Sequence, residues 1–110
     1  MALYLVQLAY TSEAWATQLK NPQNRIELVR PALEKVGGRF VGVWYAFGDY
    51  DLVGVIEAPD NKAAAAFALA VTAGGAVETY RTTPLMAIEE GIAAMRQGAE
   101  VAGIYRPPAG

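Results

Sequence analysis

The sequence contains no cysteine and no histidine. Disulfides, thiolate nucleophiles, Cys/His zinc sites and Ser-His-Asp triads are thereby excluded. Without histidine, no side chain has an unperturbed pKa near neutrality. Acid–base chemistry would fall to a carboxylate pushed up, or to a lysine or tyrosine pushed down. No metal site and no cofactor is expected, and no catalytic residue is assigned. Positive charge is also scarce, with 9 basic against 11 acidic residues and a net charge of −2. No basic stripe is available to neutralise a phosphate backbone, so nucleic acid is not an expected partner. Long hydrophobic runs are missing too. The stretch from Ala63 to Val77 is interrupted by Thr72, Gly74 and Gly75 and falls short of the roughly 20 residues that span a bilayer. The apolar N-terminus, Met1 to Leu8, has no basic leader and reads as a strand rather than a signal peptide. No membrane association is expected, and the expected location is the cytoplasm.

What is present is apolar surface. The 110 residues make one domain, yet 54% of them are hydrophobic, above the usual roughly 45–50%. A domain this small buries only about two-thirds of its chain surface, so part of that excess calls for cover from another subunit.

Residues 2–10 form an apolar strand with Gln7 as its polar member. Thr11, Ser12 and Glu13 supply cap chemistry for a short helix carrying Trp15 and Leu19. Asn21 and Pro22 suit the cap and first position of a second helix, whose Ile26, Val29, Leu33 and Val36 recur at helical spacing until Gly37-Gly38. Pro31, inside it, removes one backbone donor and predicts a kink. Strands follow at 39–47 and 51–58 around Gly48-Asp49-Tyr50. A type II′ turn with Gly48 in first place sets Tyr45 opposite Leu52 and Trp44 opposite Val53. Asp60 caps an alanine-rich helix from Asn61 to about Ala73 that is apolar nearly all round, a pattern of burial on more than one side. A fourth strand spans 76–83, and Leu85, Ile88, Ile92 and Met95 mark a last helix. The expected division is a domain over 1–97 and an extended Gly/Ala/Pro-rich tail over 98–110.

The β-α-β-β-α-β order predicts an α+β fold, one antiparallel sheet with its long helices on one face and an extra C-terminal helix. The three leading strands are apolar on both faces, so the sheet has a face that the helices leave open. An exposed apolar face of that size marks an interface, and a homodimer or higher homo-oligomer is expected.

Gly48, Asp49, Tyr50 and Asp51, followed by Leu52-Val53, resemble the signature turn of the GYD family. Glu57-Ala58-Pro59-Asp60, Gly37-Gly38, Tyr4, and the segment from Asn21-Pro22 to Arg25 add to the likeness, which runs from about Tyr4 to the last helix. The resemblance implies a ferredoxin-like domain of the dimeric α/β-barrel superfamily, and it implies no activity, since the family is largely uncharacterised. Many relatives carry a glycine soon after the first strand's threonine, where this chain has Ser12-Glu13-Ala14-Trp15.

The candidate ligand site centres on the second hairpin, with Tyr4, Trp44, Phe47, Asp49, Tyr50 and Asp51. Aromatics beside carboxylates suit a small apolar or aromatic molecule with one polar group, and a carboxylate among aromatics is raised toward service as a base. The bland alternative makes the same residues turn and packing positions. Trp44, Tyr45 and Phe47, with Tyr4, Tyr10 and Phe67, are candidates for an aromatic pocket between sheet and helices, against a core or an interface where aromatics are also enriched. Glu57 is expected to pair with Arg25, Arg39 or Arg81, and Glu89-Glu90 to be a solvated helix face. Two functions follow: a homo-oligomeric small-molecule-binding or structural protein, and a cofactor-independent enzyme acting on a small aromatic or enolisable substrate through a carboxylate base.

Overall fold

The computed structural model describes residues 1–109. The chain runs β1 (Ala2–Tyr10), α1 (Ser12–Lys20), α2 (Arg25–Lys35), β2 (Arg39–Tyr45), β3 (Leu52–Ala58), α3 (Asn61–Ala73), β4 (Val77–Leu85) and α4 (Ile88–Ala102). The strands form one antiparallel sheet in the order β2-β3-β1-β4. This is the ferredoxin-like arrangement expected from the element order, in the α+β class.

Alternation assigns the two sheet faces. Tyr4, Val6 and Leu8 of β1 and Leu52, Ile56 and Ala58 of β3 are buried beneath α2 and α3, which contribute Leu33, Ala63, Ala64 and Phe67 to the same core. Trp44 pairs with Val53 and Tyr45 with Leu52, the expected register. A bulge between Phe40 and Gly42 adds one residue to β2 and re-phases the strand.

Several local expectations are corrected. The α2 cap is Asn24, whose Oδ1 accepts from the N–H groups of Ile26 and Glu27. Asn21 instead closes α1, its N–H donating to the Thr17 carbonyl. Strand β2 ends at Tyr45, and the hairpin closes with the Ala46 N–H donating to the Asp51 carbonyl (2.9 Å). Gly48 does not take a positive φ, so the type II′ turn is not formed; among the described residues only Gly37 (85°) and Gly75 (81°) do. Gly37 and Gly38 end α2 in a Schellman motif, donating to the Glu34 and Leu33 carbonyls (2.9 and 3.0 Å). Helix α3 buries Ala63, Ala64 and Phe67, while Leu69 on its outer side is exposed, so within one chain it is covered on one side only. Helix α4 continues to Ala102, five residues into the stretch read as an extended tail; the tail's last residue, Gly110, lies outside the described residues.

The remaining caps follow the sequence. Thr11 Oγ1 accepts from the Ala14 N–H (3.1 Å) and Asp60 Oδ1 from the Ala63 N–H (2.9 Å). Arg39 forms the ion pair with Glu57 across β2 and β3.

Candidate functional site

Between the sheet and helices α2 and α3 lies a cavity of about 320 Å³. Its walls are apolar: Val6 and Leu8 from β1, Ile26 and Val29 from α2, Phe67 and Val71 from α3. It lies over the Tyr10 end of β1, while Leu33, Ala63 and Ala64 pack with Tyr4 toward the other end. Gly54 of β3 contributes to the same wall, lowering the floor where a side chain would stand.

The lining includes three polar side chains: Tyr10, Arg25 and Tyr80. Arg25 opens α2 and is half-buried. Among the described residues the ion pairs are Arg30–Glu27 (2.9 Å) and Arg39–Glu57, so the Arg25 guanidinium has no carboxylate partner. It lies near Tyr10. Burial pushes the Tyr10 phenol up, the Tyr45 phenol adds to the rise, and Arg25 opposes it. Tyr80 comes from the edge strand β4, and its hydroxyl is sealed from solvent without a hydrogen-bond partner. Burial pushes this phenol up to about 12; the Thr82 hydroxyl pulls it back, though it falls short of hydrogen-bonding geometry.

The six residues proposed from sequence are dispersed, and none of them lines this cavity. Tyr4 is buried in the core, its hydroxyl donating to Asn61 Oδ1 (2.7 Å). Trp44 stands on the open sheet face, 62% exposed, with its ring over Gly42. Phe47 is completely exposed at the hairpin tip beside exposed Asp49, with Tyr50 half-buried.

Asp51 has a defined role. Its Oδ2 accepts from the Tyr10 backbone N–H (2.8 Å) and from the Trp15 indole (3.1 Å). Trp15 also stands edge-on to Tyr10, with ring centroids 5.3 Å apart. Helix α1 has no buried residue of its own; Asp51 pegs it to the sheet and sets the ring that borders the cavity. Neither Asp nor Glu lines the cavity, so the carboxylate base required by the enzyme reading does not stand there.

Sequence reasoning missed Arg25 and Tyr80 as site residues. They are far apart in the chain, and only the packing of α2 on β2 and of α3 on β3 and β4 brings them to one recess. Glu57, for which Arg25 is one of three expected partners, pairs with Arg39 instead.

The open sheet face carries Leu3 and Leu5 of β1, Val53 and Val55 of β3, and Trp44 of β2, with the Arg39–Glu57 pair at one side. Leu3 pairs with Leu85 of β4, and from there the chain enters α4. That helix has no buried residue, and Ile88, Ile92 and Met95 recur along it at helical spacing, 76%, 40% and 73% exposed. No helix is long and apolar enough to cross a membrane among the described residues.

Comparison with known proteins places this geometry. A binding protein for glutamine synthetase and cystathionine beta-lyase from Thermus thermophilus is 35% identical over 80 residues, covering 72% of this chain and 83% of that protein. The GYD domain matches residues 4–95, from the first strand to the middle of α4, and takes in the hairpin turn, the cavity walls and the open face. The chain is a member of the GYD domain family.

Proposed function

We propose that this protein is a homo-oligomeric binding protein: copies associate through the open sheet face, and the assembly presents surfaces on which other proteins dock. One observation carries the reading. The single chain exposes 7902 Å², roughly 2,000 Å² more than a folded monomer of its mass. The excess is more than the roughly 800 Å² that each partner buries in a standard protein–protein interface. Its radius of gyration, 17.9 Å, likewise exceeds the roughly 13 Å of a compact chain of this length. The difference arises from α4, which projects from the body with its apolar stripe uncovered. A second copy on the sheet face, reached also by α4, covers the excess surface and gives the projecting helix a partner.

The likeness to a binding protein for glutamine synthetase and cystathionine beta-lyase supports enzymes as further partners. The hairpin tip suits such docking, since Phe47 is a fully exposed aromatic and aromatic anchors dominate interface energetics. On this reading Trp44 belongs to the self-association face, and Phe47, Asp49 and Tyr50 to the docking tip.

The test is co-sedimentation of the full chain with glutamine synthetase and cystathionine β-lyase from its own source. Wild type is expected to move with one or both, and Phe47→Ala to lose them while keeping its own oligomeric state. Free migration of wild type beside both enzymes refutes enzyme docking. Unchanged binding by Phe47→Ala removes the tip from the surface.

A further inference from the structure

We infer that the cavity between the sheet and helices α2 and α3 is a binding site for a small apolar carboxylic acid, its hydrocarbon body among Val29, Phe67 and Val71 and its carboxylate at Arg25. The inference goes beyond the partner reading and does not depend on it, because the cavity lies on the helix-covered side of the sheet.

Three observations converge. The volume, about 320 Å³, sits at the lower end of known ligand pockets, about 300–1,000 Å³, which combine apolar walls with a few placed polar groups. The charge in its lining is one guanidinium, half-buried and without a carboxylate partner; no Asp or Glu lines the cavity, and Asp51 acts on Tyr10 from outside it. A guanidinium presents a planar fork matched to a carboxylate, and partial desolvation strengthens such a bond. Tyr10 lines the same recess as Arg25, and burial raises its pKa further from neutrality; a neutral phenol can donate to the same anion. A neutral ligand leaves the guanidinium unpaired, and a cationic one is repelled.

The test is calorimetric titration of the full-length protein with 3-phenylpropionate and, as its neutral isostere, 3-phenylpropionamide, with octanoate as an aliphatic acid. Both acids are expected to bind, and the amide at least about tenfold more weakly than its acid, as a charge-assisted hydrogen bond implies. Arg25→Gln should erase the preference for acid over amide, and Arg25→Lys should restore part of it. Ala70→Phe, at an exposed α3 position on the cavity wall, should remove binding of all three while thermal stability is kept. Equal affinity for acid and amide, or indifference to Arg25→Gln, overturns anion recognition. Binding that survives Ala70→Phe overturns the location. Absence of heat from both acids at millimolar concentration shows a packing gap rather than a site. Oligomeric state, measured on the same samples, reports separately on the partner reading.

Discussion

The carboxylate of Asp51 offers the sharpest local perturbation. Pairing of β1 with β3 stops at Leu8 opposite Leu52. The Tyr10 N–H, beyond that point, takes Asp51 Oδ2 in place of a strand partner. The same oxygen holds the Trp15 indole. A hydrogen bond to a charged group contributes about 1.5–3 kcal/mol. Both bonds share one oxygen at a half-buried residue, so the lower end applies to each, and Asp51→Ala should cost about 3 kcal/mol. Asp51→Asn keeps an acceptor oxygen and loses the charge, for a cost of about 1 kcal/mol. Asp49→Ala, two residues away and exposed without a hydrogen-bond partner, should stay within about 0.5 kcal/mol of wild type. Urea unfolding at one fixed protein concentration reads all three, since association couples stability to concentration. With a slope of about 1.5 kcal/mol per molar urea, the Ala midpoint should fall by roughly 2 M. If Asp51→Ala matches Asp49→Ala, the peg does not hold α1. If Asn costs as much as Ala, geometry rather than charge dominates.

Gly37→Ala should destabilise by about 1 kcal/mol, because Gly37 holds φ at 85° and a side chain there is strained. Gly48→Ala should leave the urea midpoint unchanged, since a Cβ at that position meets nothing within 4 Å; the reverse order would mean that the hairpin, not the α2 end, needs glycine. Tyr80→Phe should be neutral or slightly stabilising, because it deletes a buried hydroxyl that lacks a partner. The raised Tyr80 pKa also sets a pH dependence. Below pH 10 the phenol is neutral folded and unfolded; between 10 and about 12 the unfolded chain ionises first, so stability falls with rising pH. Thermal melts across that window should show a shallower fall for Tyr80→Phe, and an identical slope would place the phenol in water.

Much of the fold was legible because patterning determines it. Apolar, β-rich runs at residues 2–10 and 51–58 mark strands, and the caps at Thr11 and Asp60 follow because one oxygen three residues before a backbone donor suffices. The register of Trp44 with Val53 survived a misread turn. The hairpin observed is a longer loop centred on the same Gly48-Asp49 pair, so the opposing residues are unchanged. Asn21 and Asn24 carry the same cap chemistry, and the choice depended on where α1 ended, which local sequence does not specify. The candidate site was less legible. The hairpin motif drew attention to Asp51, whose partners Tyr10 and Trp15 lie 41 and 36 residues away. Packing places Arg25 beside an apolar recess and in no ion pair, which local sequence does not specify.

Sedimentation velocity of wild type and Val55→Lys at micromolar concentration tests the central claim most directly, because Val55 sits mid-strand on the open sheet face. Wild type should sediment at twice the single-chain mass or more. The lysine variant should shift toward the single chain with its circular dichroism intact, as a buried unpaired charge at an interface demands. A wild-type monomer, or a variant that associates as wild type does, would contradict assembly through that face.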